Sequence, residues 1–434
     1  MYNRIILVLL TTLFAANVMA EPVELPTNKD GIIITGVLTA GFDPLGFSGR
    51  GPVYPIPFNL FYLDLDTFTP TTDFTLVVPD IDEEDFGNPL AVLSAMEGFS
   101  TTEKWTVSFV DDLRNPGPIN PATVVPGQSV RLFHVAGPSS LQVSAVVREL
   151  TPGVDYVAVV ASGGVIAIIP LKPLQPMTNY LAVLTNDIKD SKGNDATPDN
   201  MYHLLKSTTP WVDENGNSVY SAISDYYAQL LEGVRPLVNS WENAAVSAGI
   251  PREDIVLSWP VQTQSIEPVL KNIRSTAKPA ATIVGPTGMN TAAVGGAGIA
   301  DVYAGIITMP YYLGVPVTEN PTAPLTDFWK AAPGAYVAPF DALPDKTSTH
   351  VTIANPFPVL TDNQTVPLLM SVPNAASGQV KPAAGWPVVI FGHAMQGNRS
   401  QMLALADTSA LAGFAVIAID FPLHGISPDD PALA

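Results

Sequence analysis

The sequence contains no cysteine. Disulfides and thiolate metal sites are therefore excluded, and stability has to come from buried apolar area. Basic residues are scarce too: 20 Lys and Arg stand against 40 Asp and Glu, a formal charge of −20. Nucleic acid is not an expected partner, because phosphate binding needs a basic face. The acidity reads as a feature of solubility or of a saline habitat, and one that can attract divalent cations. A membrane-spanning run is missing at the N-terminus, where the apolar stretch Ile5 to Ala16 falls well short of the roughly 20 residues that cross a bilayer. With Arg4 before it and the small-residue pattern Val18-Met19-Ala20 after it, residues 1–20 have the form of a secretory signal peptide. The mature chain is expected in the periplasm or outside the cell, without a lipid anchor, since no cysteine follows the cleavage site.

What is abundant is turn residues. With 32 Gly and 42 Pro, the composition points to short strands joined by turns. Strands are expected at Thr75–Val78, Thr106–Phe109, Leu141–Val147, Tyr156–Val160, Val165–Ile169 and Tyr180–Leu184, which makes residues 21–209 one or two β-sandwich-like modules. Asn186–Asn194 reads as a turn closing a strand pair. Ser218–Ala248 has helical spacing, with Pro236 predicting a kink or two successive helices and Gly249-Ile250-Pro251 a stop. Ile255–Thr263 reads as a strand, Ala280–Ala300 as a Gly-rich loop, Val302–Met309 and Tyr311–Val315 as β, and Gly314–Leu343 as a Pro-rich connector. Residues 210–345 are thus a helix with a connecting region.

The pattern changes at His350. His350–Ala354 and Val366–Val372 read as short strands, and Trp386–Phe391 as a strand buried on both faces. Gly392 to Gly397 turns at once into Asn398, a suitable N-cap, and a helix over Arg399–Ala412 that Gly413 ends. Phe414–Ile419 is a second buried strand, followed by the turn Asp420–Ser427. Strand, turn, helix and strand in this length make a βαβ crossover of a parallel sheet. Residues 346–434 are expected to be the start of an α/β domain, so the fold class is mixed: N-terminal β-sandwich-like modules with a helical segment, then an incomplete parallel βαβ part.

The turns GHAMQGN and DFPLHGIS are similar to those that follow two successive strands of α/β-hydrolases, the first being the oxyanion loop. From Gly41 onward the chain resembles the bacterial virulence-factor lipases, extracellular lipases with a large module ahead of the hydrolase domain. The stretches that carry the likeness are FDP at 42–44, IPF at 56–58, GFSTT at 98–102, PGQSVRLF at 126–133, VRELTPGVDY at 147–156, PLKPLQPMTNYLAVLTNDIKD at 170–190, LSWPVQTQS at 257–265, VYAGIITMPYYLGVP at 302–316 and GWPVVIFGHAMQGNRS at 385–400. The resemblance implies a secreted carboxylic-ester hydrolase, a lipase or phospholipase that works by serine acyl transfer on a lipid or ester substrate and touches a membrane surface. It implies the Met395 N–H as an oxyanion donor, within a loop shaped by His393, Ala394 and Gly397. The chain departs from the family at Ala394, where a Gly is usual and backbone freedom is greater.

The serine elbow itself is missing. No G-x-S-x-G occurs: Gly98-Phe-Ser-Thr-Thr102, Gly127-Gln-Ser-Val-Arg131 and Gly425-Ile-Ser-Pro-Asp429 all lack the second Gly. No catalytic residue is therefore assigned in this chain, and it is expected to be inactive alone. His393 and His424 precede the place of a nucleophile and read as structural, as do the isolated His134, His203 and His350. Asp80–Asp85 is the densest acidic run; a Ca²⁺ site there lacks the EF-hand register, and a solvated loop is the expected reading, with no metal or cofactor assigned. Ser275-Thr-Ala-Lys278 fits S-x-x-K without its companion motifs. The alternative to a hydrolase module is a non-catalytic β-sandwich binding or adhesion protein with a remnant hydrolase start.

Overall fold

Trp105, Val107 and Phe109 alternate with Thr106 and Ser108, a period-two pattern that puts one set of side chains in a core and the other outside. The run forms a strand, and so do most others of its kind. The computed structural model describes residues 38–44, 53–64, 69–71, 75–78, 93–110, 118–219, 224–343 and 345–425. Residues 1–20 and Asp80–Asp85, expected as signal peptide and acidic loop, lie outside them. Two units form: one of residues up to Pro268 with 338–346 and 352–354, the other of 269–337, 347–351 and 355 onward.

The first unit holds, in chain order, β1 (Leu38–Ala40), β2 (Leu63–Asp64), β3 (Thr69–Pro70), β4 (Trp105–Val110), β5 (Val130–Ala136), β6 (Ala145–Glu149), β7 (Tyr156–Ala161), β8 (Val165–Pro170), β9 (Asn179–Thr185), β10 (Ala196–Pro198), helices α1 (Asn200–Leu205) and α2 (Asp225–Ser247), and β11 (Ile255–Gln262). One sheet has the order β10-β1-β4-β8-β7, and a second has the order β11-β9-β5-β6. Both contribute to one core, where Trp105 of the first meets Tyr180 of the second at 6.4 Å between ring centres. Residues of β9 and β11 are buried along nearly their whole length, because α2 packs on the second sheet as well.

Several expectations need correction here. Thr75–Val78 is buried but irregular, and Leu141–Val147 becomes a strand only from Ala145. The strand β5 was not anticipated. Arg131 and His134 interrupt its apolar run, yet Arg131 lies along the sheet, bound at 2.7 Å through both Nε and a terminal nitrogen to Glu149 of β6 and set over the Phe133 ring. Asn186–Asn194 does not close a ladder: it carries the chain from β9 to β10 in the other sheet, with one isolated pair, Lys189 and Asp195, across it. Its turn is fixed by the Asp190 carboxylate, which accepts from the N–H groups of Lys192 and Asn194 at 2.8 Å. Pro236 does not split the helical run. One helix of 23 residues runs from the Ser224 cap to Ala248, and Gly249 follows with φ 84°.

The α2 helix is anchored by charge as well as by apolar contact. Glu242 is fully buried, with its oxygens 3.4 Å from Lys206 Nζ and 3.1 Å from Arg252 Nε. Burial pushes the Glu242 carboxyl up and the Lys206 ammonium down, so the cluster sacrifices solvation on both sides. A more favourable pair sits at the start of β7. Asp155, with 6% of its side chain exposed, takes hydrogen bonds from Lys172 at 2.6 Å, the Thr151 N–H at 2.7 Å and Arg148 at 3.3 Å. The Lys172 bond first, then the Thr151 N–H, hold its pKa down at about 2. Lys172 and Arg148 are half exposed, so water screens them. Asp155→Asn is accordingly expected to cost about 1–2 kcal/mol at neutral pH. Because the folded-state pKa is depressed, this contribution is present above the unfolded value near 4 and is lost as pH falls toward about 2. Urea unfolding of both proteins checks it: the gap in midpoints should narrow between pH ~5 and ~3.

The second unit begins at Val269, one residue into helix α3 (Pro268–Thr276), and contains β12 (Thr282–Asn290), β13 (Ala300–Tyr311), the short helix α4 (Ala323–Thr326), β14 (Asp362–Pro373), β15 (Val388–Phe391), helix α5 (Leu403–Leu411) and β16 (Ala415–Ile419). Its sheet has the order β12-β13-β14-β16-β15. Neighbours are antiparallel except β15 and β16, which are parallel with α5 between them in sequence, the expected βαβ step. The Gly-rich stretch at 280–300 is not a loop throughout, since residues 282–290 of it form β12. Close approach of the two backbones falls instead on the partner strand, where a Cβ on Gly305 would lie 2.0 Å from the Ile283 carbonyl oxygen of β12. His350–Ala354 is not a strand, and His350 makes one isolated bridge to Lys330. The Phe328-Trp329 pair is half-buried, with Trp329 against Tyr312 and Phe328 against His350.

The strongest correction concerns β15. It was expected to be buried on both faces, but Val388, Val389 and Ile390 are 53%, 37% and 85% exposed. The strand lies at the sheet edge and pairs on one side with β16. Its neighbour β16, flanked by β14 and β15, is the buried strand of the step.

Candidate oxyanion loop

The end of β15 and the end of β16 lie side by side because the strands are parallel and in register, Phe391 opposite Ala418. Two turns therefore meet at one end of the sheet: residues 392–397 after β15 and 420–425 after β16. Gly392 opens the first, where a Cβ would come within 3.1 Å of the Phe421 ring. His393 follows, 6% exposed, and ties the turns together. Its Nε2 accepts from the Phe421 N–H at 3.0 Å, which leaves Nδ1 to donate to the Ala394 carbonyl at 2.9 Å. Its ring also packs, tilted, against Phe421 at 4.6 Å and His424 at 5.1 Å between ring centres. With both nitrogens committed, this imidazole braces the turns and has no free lone pair for general-base work.

Residues 394–397 form a β-turn closed by the Gly397 N–H to the Ala394 carbonyl at 2.9 Å. Gln396 has φ 61°, while Ala394 and Met395 are not among the residues of positive φ. That is the form of a type II turn, with Met395 at its second and Gln396 at its third position. The left-handed residue is thus Gln396, and Ala394 occupies a position where a Cβ costs nothing in φ. The Ala394 N–H is held by Gln401 Oε1 at 3.2 Å. The Met395 N–H has no hydrogen-bond partner among the described residues, and the Met395 side chain is 90% exposed. An unpaired N–H on an exposed turn can receive a developing negative charge.

The helix after the loop is started by the Asn398 side chain, which accepts from the Ser400 N–H at 2.9 Å and leads through a 3-10 turn, Arg399–Met402, into α5. Asp420 fixes the second turn. It accepts from the Arg399 N–H at 2.7 Å and forms an ion pair with the Arg399 guanidinium. Gly425, with φ 127°, sits where a Cβ would be 2.8 Å from Asp420 Oδ2, so this turn requires glycine. Gln401, Arg399 and Asp420 were not singled out as positioning residues. The signal for Asp420 and Arg399 was an acid ending one strand and a cation beginning the helix beside it.

The remaining candidates are not brought together. His424 is exposed, its Nδ1 2.9 Å from the Pro422 carbonyl. His134 stands beside Tyr180 on β5, where burial lowers its pKa, while His203 is in the last turn of α1 and His350 lies against Phe328. Among the described residues no group of three or more His, Asp and Glu is placed to hold a metal ion. The Ser275 hydroxyl donates to its own helix at Asn272, 2.8 Å away, and Ser129 is buried within a turn, bound to Val125 and Thr123. Ser100 accepts from the Thr102 and Glu103 N–H groups as a turn cap.

A two-sheet β unit closed by a long helix, and beside it in sequence a mixed sheet with one parallel βαβ step, define a β-rich module joined to an α/β-type segment. Residues 79–294 belong to the family described as bacterial virulence factor lipase N-terminal. A search of curated proteins found no match. Among the described residues no helix is long and apolar enough to cross a membrane.

Proposed function

We propose that the chain is the N-terminal part of an exported carboxylic-ester hydrolase, a lipase or phospholipase that acts by serine acyl transfer. Residues 1–20 would be its signal peptide, 21–209 the β module, 210–345 the helix and connecting region, and 346–434 the beginning of the α/β-hydrolase domain, which shares its sheet with β12 and β13. The observation that carries this reading is the unpaired Met395 N–H on a type II turn, locked by His393 to the turn after the next parallel strand. Such a donor, fixed before the reaction, is what an acyl-transfer site needs at its oxyanion. The lipase family match of residues 79–294 supports the same class. A nucleophile, a base and an orienting acid are also required. The sequence holds no G-x-S-x-G, so this reading assigns none of these groups to a residue of the chain.

Residues 21–434 alone are therefore expected to hydrolyse p-nitrophenyl esters no faster than buffer does. Turnover that a serine-directed phosphonate abolishes would overturn the reading that these residues hold no catalytic serine.

A further inference from the structure

We infer that α3 and the β12 strand after it form a surface that docks on anionic phospholipid. The starting observation is a reversal of charge. In a chain with twice as many acids as bases, the 33 residues from Pro268 to Ala300 contain Lys271, Arg274 and Lys278 and no Asp or Glu. The three cations recur at intervals of three and four, the spacing of one helical flank. The Ala277 N–H continues the helical hydrogen bonding to Ile273 at 2.8 Å, which carries that flank on toward Lys278. All three cations are exposed.

Apolar residues of the same segment are exposed with them. α3 has no fully buried residue: it is held through Asn272, whose side chain donates to the Pro356 carbonyl at 3.0 Å, and Leu270 is 61% exposed. On β12, Ile283 is 71% exposed and lies directly across from Ile306 of β13, itself 42% exposed. Met289, at the far end of β12, is 52% exposed. Glu267, just before the helix, offsets one positive charge and leaves a net excess of two. Asp407, the acid that reaches into the segment from α5, has one oxygen bound to the Thr291 hydroxyl and the other to the Ala297 N–H. Exposed cations and exposed aliphatic side chains in one short segment fit an interface that is anionic outside and apolar beneath, which is the order of charge and hydrocarbon at a phospholipid surface. A nucleic acid would meet the same cations but has no place for Leu270 and Ile283. The inference stands on charge and exposure and does not depend on the esterase reading.

The test is co-sedimentation of residues 21–434 with vesicles of phosphatidylcholine alone and of phosphatidylcholine mixed with phosphatidylglycerol. Binding to the mixed vesicles is expected, with loss in high salt and little binding to the neutral ones. Each cation near an anionic surface contributes about 1 kcal/mol, so the combined variant Lys271→Glu, Arg274→Glu, Lys278→Glu should bind at least about a hundredfold more weakly. Lys381→Glu, an exposed cation outside the segment, should bind as the parent does, and circular dichroism should be unchanged in both. Ile283→Ser should weaken binding several-fold with the salt dependence retained. The inference is overturned if the parent ignores anionic vesicles, if the triple variant binds as the parent does, or if a soluble polyphosphate competes away binding while Ile283→Ser has no effect.

Discussion

Trp241→Ala is expected to destabilise the N-terminal unit by about 3–5 kcal/mol, the largest loss among single substitutions considered for this chain. Trp241 lies on the inward side of α2 with no exposed surface, edge-on to Phe58 at 6.3 Å. Its indole Nε1 donates at 2.7 Å to the Leu141 carbonyl, in the irregular segment just before β6. Alanine would open a cavity between helix and sheet and leave that carbonyl unpaired in an apolar setting, and the two costs add. Trp241→Phe separates them, since most of the ring volume remains and the donor is lost; about 1–2 kcal/mol is expected. Urea unfolding followed by far-ultraviolet circular dichroism gives both numbers. Equal effects of alanine and phenylalanine would show that the hydrogen bond, and not the packing, holds α2 in place.

The same helix shows what a sequence pattern can and cannot convey. The expected helical spacing ran through Val219, Ile223, Tyr226, Leu230, Val234 and Leu237; Val234 is buried, Leu230 and Leu237 are half-buried and Tyr226 is exposed, so the existence, though not the inward face, of α2 was legible. Its continuity through Pro236 was not, because a proline costs only one hydrogen bond and a local clash, and packing over 23 residues outweighs them. Strand β4 was legible from its period-two alternation, and β7, β8, β9 and β11 from apolar, β-branched runs bounded by turn residues. Strand β5 was hidden by Arg131 and His134, whose partners Glu149 and Tyr180 come from other strands. A polar residue in a strand is explained by its cross-strand neighbour, and that neighbour is known only once the sheet is known.

In the second unit the error ran the other way. Trp386–Phe391 is apolar enough for an interior strand, and composition alone cannot say which strand stands at an edge. The glycines of 280–300 suggested a loop, although Gly305 of the next strand shows that small residues also allow two backbones to approach. In the candidate site, the loop boundaries at Gly392 and Gly397 and the Asn398 cap were legible. The closing partners, Gln401 for the Ala394 N–H and Arg399 for Asp420, were not, because they depend on how a helix start meets a neighbouring turn.

The departure at Ala394 leads to the second large effect. The unusual backbone angle of the loop belongs to Gln396, so alanine at 394 leaves the turn, and with it the direction of the Met395 N–H, intact. The N–H can be removed almost in isolation. Met395 is the second residue of a type II turn, the position that proline favours, and its N–H has no partner among the described residues. Met395→Pro should therefore keep the fold. In a polypeptide that also carries the catalytic serine, acid and histidine, the substitution is expected to lower kcat by about 10²–10³-fold, the effect of losing one oxyanion donor, with KM little changed. Met395→Ala keeps the N–H while removing a side chain that is already exposed, so its kcat should stay within a few-fold of the parent. Steady-state hydrolysis of a short-chain ester by the two variants decides the matter. If alanine and proline reduce kcat alike, the side chain acts and the backbone does not; if neither reduces it, this loop is not the oxyanion hole, and His393 ties two turns together for stability alone.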